Sequence, residues 1–212
     1  MTIQGFTLHR PAVLLAGLAA ATLMSACAPL LVGGAVVGTS MMVSDRRTSG
    51  AQLEDQAIEL KANTRVREAV GERGHVNTTS YNRIVLLTGE VAAEGDKVAV
   101  EQAVAKIEGV RSVVNELAVT GSSSLANRSN DAILTSKVKA SFIDAKDVFA
   151  TAIKVTTERS TVYLMGRVTE RESNRASDIA RGVPGVLKVV RVFEVISEAE
   201  LAEIQPKQAQ KP

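Results

Sequence analysis

A repeat at a fixed offset constrains the fold of this 212-residue chain more than any other feature. Leu87-Thr88-Gly89-Glu90-Val91 matches Leu164-Met165-Gly166-Arg167-Val168 at an offset of 77, and Gly109-Val110-Arg111-Ser112-Val113-Val114 matches Gly185-Val186-Leu187-Lys188-Val189-Val190 at 76. The offset of 76 also aligns Ile58, Ala62 and Val66 with Leu134, Val138 and Phe142, and Leu117 and Val119 with Phe193 and Val195. Blocks that agree in order and spacing mean two copies of one unit. Each copy spans about 70 residues, at the small end of domains that fold alone.

Hydrophobic periods then give the elements. Ile58, Ala62 and Val66, like Leu134, Val138 and Phe142, recur every four residues and so line one side of a helix. Ser129-Asn130-Asp131 supplies capping residues for the start of the second of these helices. Two strands follow in each copy, His75 to Tyr81 with Ile84 to Val91 and Ala152 to Glu158 with Thr161 to Val168, joined by hairpin turns at Tyr81-Asn82-Arg83 and Glu158-Arg159-Ser160. A second helix carries Val100, Ala103, Val104 and Ile107, or Ala176, Ile179, Ala180 and Val183. Gly109 and Pro184-Gly185 end it before a third strand. Gly89 and Gly166 stand at the same point of both second strands, which marks a bulge or a close backbone approach. The fold class is α+β: two tandem α-β-β-α-β domains, each with two helices on one face of a three-stranded mixed sheet. Domain 1 is expected at 53–121, a linker at 122–128, domain 2 at 129–197 and a tail at 198–212.

Residues 1–26 read as an export signal: His9 and Arg10, then an apolar run from Pro11 to Leu23, then small residues. Cys27, the chain's one cysteine, follows Ser25-Ala26 directly, and the run resembles a lipobox, with cleavage before Cys27 and acylation of its thiol and amine. An ordinary secretory signal with a chance cysteine, or an uncleaved anchor, is the alternative. Several acyl chains at ~0.8 kcal/mol per buried CH₂ would hold the protein to a bilayer without a spanning helix. Ala28 in place of an acid after the cysteine places the folded part on the periplasmic face of an outer membrane. The apolar stretch 28–43 has sixteen residues, Pro29 and three glycines, short of the ~20 of a spanning helix. Residues 27–52 are therefore the acylated cysteine and a tether.

Charge and composition exclude several function classes. Residues 1–26 hold Arg10 and no acid, so the 25 basic and 23 acidic side chains become 24 and 23 in the mature chain, a formal charge of +1. Such balance gives no overall attraction to nucleic acid, and any pull on a membrane must be local. Aromatics are 3% and tryptophan is absent, against an aromatic-lined base or sugar site. No disulfide is available, so packed cores must supply stability. His75, the one histidine beyond the signal, reads as a solvated strand-edge residue, and Asp144, Lys146 and Asp147 form a mixed-charge loop without metal-ligand spacing. Glu170-Arg171-Glu172 and Arg175 with Asp178 read as solvated helix pairs. No nucleophile, base and orienter come together, and no enzyme, metal or cofactor is expected.

The element order, the glycine in each second strand and the Gly-Val-x-x-Val pattern opening each third strand resemble the BON domain (bacterial OsmY and nodulation). Two copies behind a lipobox, with Val37-Gly38-Thr39 in the tether and Leu164-Met165-Gly166-Arg167-Val168-Thr169-Glu170-Arg171-Glu172 in the second copy, resemble more particularly the dual-BON outer-membrane lipoproteins of division and outer-membrane stress. The resemblance covers about residues 27–196. It implies a non-enzymatic outer-membrane lipoprotein that binds anionic, phosphatidylglycerol-like phospholipid through the first helix of the second domain and supports envelope integrity.

The residues of that helix carry a matching signal of their own. At ~100° per residue, Leu134, Val138 and Phe142 cluster toward the sheet, while Ile133, Ser136, Ala140 and Ile143 form a second stripe. Lys137 borders it on one side and Lys139 on the other, joined by Arg128 if the helix continues back so far. A second apolar stripe rimmed by ammonium groups is the arrangement of an interfacial helix. The equivalent stripe in copy one, Ala57, Leu60, Thr64 and Arg67, loses its apolar end. The competing expectation is that Ile133 and Ile143 pack on the other domain or on residues 197–204. The runner-up function is a protein-interaction adaptor for the outer-membrane assembly machinery.

Overall fold

The computed structural model describes residues 45–204, Lys146 excepted, and these belong to one compact unit. Helix α1 (Ser49–Val70) leads to a 3-10 turn and the hairpin β1 (Gly74–Tyr81) and β2 (Ile84–Val91). Helix α2 (Glu94–Ala105) and an interrupted strand, β3 (Ser112–Asn115) and β4 (Ala118–Val119), complete the first copy. The second copy repeats the order with α3 (Leu125–Asp144), β5 (Lys154–Glu158), β6 (Thr161–Thr169), α4 (Glu170–Gly182) and β7 (Lys188–Ile196), followed by α5 (Glu198–Ile204). In both sheets the hairpin is antiparallel and the last strand lies parallel to the central one. The architecture is the expected α+β pair of mixed sheets, each with its helices on one face.

Several sequence expectations need correction. Helix α3 starts at Leu125, where the Ser124 side chain accepts from the Asn127 N–H, so Ser129-Asn130-Asp131 lie inside the helix. Helix α1 starts at Ser49, with Thr48 as its cap, and takes in residues read as tether. Ala152 belongs to a 3-10 turn rather than to β5. Residues 198–204, read as tail, form α5, whose Leu201 is buried. The third strand of copy one is broken because the Asn115 side chain accepts from the Leu117 N–H and donates to the Lys97 carbonyl, leaving Leu117 to fill the core.

A pair of buried aspartates fixes both hairpins. Asn82-Arg83 and Arg159-Ser160 have φ of 49°, 66°, 51° and 57°, a left-handed pair in each turn with no glycine to relieve it. Asp131 reaches from α3 to accept the Arg159 and Ser160 N–H groups, each at 2.8 Å. Asp55, its counterpart 76 residues earlier, accepts from the Asn82 and Arg83 N–H groups at 2.7 and 2.8 Å and from the Ser80 hydroxyl at 2.6 Å. These charged hydrogen bonds offset the strain of the turns and tie each first helix to its own hairpin.

Three apolar layers result. One lies between α1, α2 and the first sheet, another between α3, α4 and the second. The third joins the copies: Tyr81, Leu86, Tyr163, Met165 and Val192 from the outer faces of both sheets are buried together. Each helix pair therefore lies on the far side of its sheet from this seam. Around the seam, Lys154 Nζ meets Glu59 Oε1 at 2.8 Å and Asn82 Nδ2 donates to Glu194 Oε2 at 2.6 Å.

The segment ahead of α1 is bolted to both copies. Arg46, 5% exposed, makes a two-pronged pair with Glu172 at 2.7 Å for each prong, donates to the Arg167 carbonyl and lies 5.4 Å from the Phe149 ring centroid. Glu172 is also the N3 residue of the Thr169 capping box, so it is buried rather than solvated as its sequence context suggested. Arg47 pairs with Asp45 and Asp55 and stacks 4.1 Å from the Tyr81 ring centroid. Arg175 pairs with Asp147 rather than Asp178, and Asp178 with Arg181.

Two outcomes follow from these contacts. A Cβ on Gly166 would fall on the Ala152 carbonyl oxygen, and one on Gly89 on the His75 carbonyl oxygen, with Gly89 also at φ 112°. Gly89→Val or Gly166→Val should lower the midpoint of a thermal melt by well over 10 °C, since even ~2 kcal/mol moves a domain of this size by about that much; an unchanged midpoint would contradict the close approach. The acid response has a defined sign. Burial pulls the Asp55 carboxyl upward, but Ser80, the Arg83 N–H, Arg47 and the Asn82 N–H outweigh it and hold it below the ordinary carboxylate range. Burial likewise opposes, and Arg46 with the Thr169 N–H overcomes, the same shift at Glu172. A depressed folded value gives stability that is complete above the unfolded value of about 4 and is lost as pH falls through the folded one. Urea midpoints should therefore fall steeply below about pH 4, and less steeply in Asp55→Asn, which is already weaker at pH 7.

Candidate membrane-facing site

Helix α3 presents two unlike sides. Inward, Leu134, Val138 and Phe142 are at most 2% exposed and close the second core, with Asp131 beside them on the hairpin turn. Outward, Ile133 is 54% and Ile143 74% exposed, and Ser136, Lys137, Lys139 and Ala140 are exposed with them. The domains meet through their sheets, and neither isoleucine is covered by the first copy or by α5, so the packing expectation for them is overturned.

The earlier helix start lengthens the stripe. Leu125, 79% exposed, falls on the same face as Ser129, Ser136 and Ile143, so the apolar line runs the length of the helix, about 27 Å at 1.5 Å per residue. Sequence reasoning missed Leu125 because it placed the cap at Ser129-Asn130-Asp131 rather than at Ser124; the Ser122-Ser123-Ser124 run before an apolar residue was the available signal. The stripe's middle serine makes little demand on water, because the Ser136 hydroxyl donates to the Ala132 carbonyl at 3.0 Å. From Leu125 to Ile143 the one acid is Asp131, which is buried, so the helix shows solvent Arg128, Lys137 and Lys139 and no carboxylate before Asp144.

Neighbouring elements extend this surface. Gly185, at φ 101°, brings the α4–β7 connection against Leu134, and the Leu187 N–H donates to the Ser160 carbonyl at 2.9 Å. Leu187 itself is 83% exposed, followed by exposed Lys188. Sequence reasoning used this segment as a repeat marker and did not consider its side chains. Between α3 and α4 an open groove of about 470 Å³ has Lys137, Ala140, Arg175 and Asp178 on its walls. In the first copy Gly109, at φ 90°, makes the equivalent turn against Glu54 and Ile58.

The corresponding face of α1 is weaker. Leu53 and Leu60 are 66% and 72% exposed, but the line ends in Thr64 and Arg67. Its surroundings mix Lys61 and Arg65 with Glu54, Glu59 and Glu68, and Arg65 is already paired with Glu68. Because the helix pairs lie beyond opposite sides of the seam, one flat membrane can meet α1 or α3 but not both. Cys27 and the signal and tether expectations lie outside the described residues. Among the described residues no helix is long and apolar enough to cross a membrane.

Comparison with known proteins agrees with the repeat and its topology. The BON domain model matches residues 55–121 and again 130–197. The chain belongs to the BON-domain family. It is 37% identical over 182 residues to the outer membrane lipoprotein DolP of Haemophilus influenzae, covering 84% of this chain and 93% of that protein. It is 29% identical to a 21 kDa hemolysin of Actinobacillus pleuropneumoniae, over 72% of this chain and 79% of that one, and 28% identical to osmotically-inducible protein Y of Escherichia coli, over 66% and 72%. In BON terms, the stripe described above is the first helix of the second domain.

Proposed function

We propose that this protein is an outer-membrane lipoprotein, acylated at Cys27 and held at the periplasmic face, whose α3 stripe binds anionic phospholipid and supports envelope integrity at division sites. The similarity to the DolP lipoprotein supports the location. The observation that carries lipid contact is the outward face of α3, where exposed Leu125, Ile133 and Ile143 are bordered by Arg128, Lys137 and Lys139 with no exposed carboxylate on the helix before Asp144. Acylation brings the body to the bilayer; Leu125, Ile133 and Ile143 enter the acyl boundary while Lys137, Lys139 and Arg128 reach phosphates. No reacting groups are required for this role.

The test uses residues 44–212, because removing the first domain would bare the apolar seam and make any second-domain fragment adhesive. This body should sediment with phosphatidylglycerol vesicles and not with zwitterionic ones. Ile133→Glu with Ile143→Glu should abolish sedimentation while the thermal melt stays near wild type. Lys137→Glu with Lys139→Glu should weaken it in a salt-dependent way, with ~1 kcal/mol per basic residue near an anionic surface. A folded isoleucine variant that still binds vesicles normally would remove α3 as the lipid site and favour a protein-binding adaptor. For the anchor, Cys27→Ser should lose incorporation of a palmitate analogue in cells, and equal labelling of both proteins would refute the acylation.

A further inference from the structure

Beside the first half of α3, the junction of the two domains holds a group of ligand atoms that the membrane role leaves unused. His75 and Glu90 are direct cross-strand partners in β1 and β2, and Glu90 points to the side of the first sheet that meets the second domain. Glu158 closes the group from the end of β5. One donor atom from each of the three lies within 4.8 Å of the others, and His75 Nδ1 is 3.6 Å from Glu90 Oε2. Sequence analysis read His75 as solvated; its Nδ1 is buried, beside a carboxylate.

Glu90 is the anomaly. It is 1% exposed, and neither carboxylate oxygen accepts a hydrogen bond from the protein; His75 Nδ1 has no hydrogen-bond partner either. Buried ionisable groups are ordinarily paired and hydrogen-bonded. Among the described residues no lysine or arginine forms an ion pair with Glu90 or Glu158. Burial pushes the Glu158 carboxyl up, and the nearby Glu90 charge adds to it, against the Asn77 hydrogen bond and His75. The two acids thus face each other with a partly buried imidazole as the one basic group in contact with Glu90 among the described residues; Arg128 stands on the wall of the adjoining groove, bonded to Ser123. The second copy shows what balances such a position, since the repeat places Arg167 where the first copy has Glu90, and Arg167 bonds Glu200 at 2.6 Å.

One imidazole nitrogen and two carboxylates form a donor set for a divalent transition cation of the zinc class, since calcium and magnesium take oxygen alone. Asn77 Nδ2 donates to Glu158 Oε2 at 2.9 Å, which orients that carboxylate from behind as outer-shell donors do in metal sites. A groove of about 460 Å³, with His75, Asn77, Arg128, Asp131 and Glu158 on its wall, connects the group to solvent and leaves room for water as a fourth ligand. We propose that His75, Glu90 and Glu158 bind a zinc-class divalent cation that bridges the two domains.

The experiment takes the full chain in detergent, stripped of metal with a chelator and dialysed against zinc chloride. Wild type should retain one zinc per chain, and zinc should raise its melting midpoint. Affinity should fall at least tenfold in Glu90→Gln and in His75→Ala, and about tenfold in Asn77→Ala; Cys27 is common to all of these proteins and cancels. His75 is partly exposed, so its variant keeps the test decisive should Glu90→Gln fail to fold. Wild type that holds no more zinc than His75→Ala overturns the proposal. So does a Glu90→Gln protein that melts higher than metal-free wild type while zinc leaves wild type unmoved, which would make the group an acid pair relieved by neutralisation.

Discussion

The structure depends on one apolar contact, the burial of both sheets' outer faces against each other. A three-stranded sheet with helices on one side has a second side to cover, and a domain of about 70 residues has too little chain to cover it alone. Here each copy covers the other through Leu86, Tyr81, Tyr163, Met165 and Val192. Truncating a fully buried residue such as Leu86 or Met165 to alanine would cost about 2–5 kcal/mol, a large part of what a domain this small has. The seam also fixes direction: with both sheets closed, what each copy still turns outward is its helix surface.

The polar contacts add specificity to this arrangement. Arg46 and Glu172 are both buried, and an ion pair taken out of water gives little net stability while its loss on one side costs several kcal/mol. Its consequence is positional. Arg46 holds the second domain and Arg47 the first, so the last residues of the tether are fixed to the body at the seam. The stacking of Arg47 on Tyr81 joins this lock to the apolar layer itself. Tyr81, whose hydroxyl burial pushes up to about 12, stays neutral there at any physiological pH.

Most of the fold was legible in the sequence because it follows from repeated local patterns. The four-residue spacing of Ile58, Ala62 and Val66 and of Leu134, Val138 and Phe142 does mark the buried sides of α1 and α3. The glycines at 89 and 166 do mark backbone approaches that no side chain fits. What escaped was long-range polar structure, for which local periodicity has no signal. Asp131 looked like a cap because aspartate precedes many helices; its role on a turn 28 residues away was visible only in its alignment with Asp55 at the repeat offset. Arg46 and Glu172 are 126 residues apart and look solvated in their own segments. For the exposed stripe of α3, Ile133 to Ile143 was readable from the helical period, whereas Leu125 depended on the helix start and Leu187 on a loop that only the fold brings to α3.

The central claim is that the seam turns α3 outward as the membrane-contacting surface while α1 faces away. Residues 44–212 contain no cysteine, so single cysteines at 60, 133 and 143 can each carry a nitroxide. Oxygen and nickel-chelate accessibility with phosphatidylglycerol vesicles then reports depth at each site. The account requires the labels at 133 and 143 to become oxygen-rich and nickel-poor on adding vesicles while the label at 60 stays aqueous. Labels at 133 and 143 that remain aqueous on vesicle-bound protein, or a label at 60 that enters instead, would contradict it.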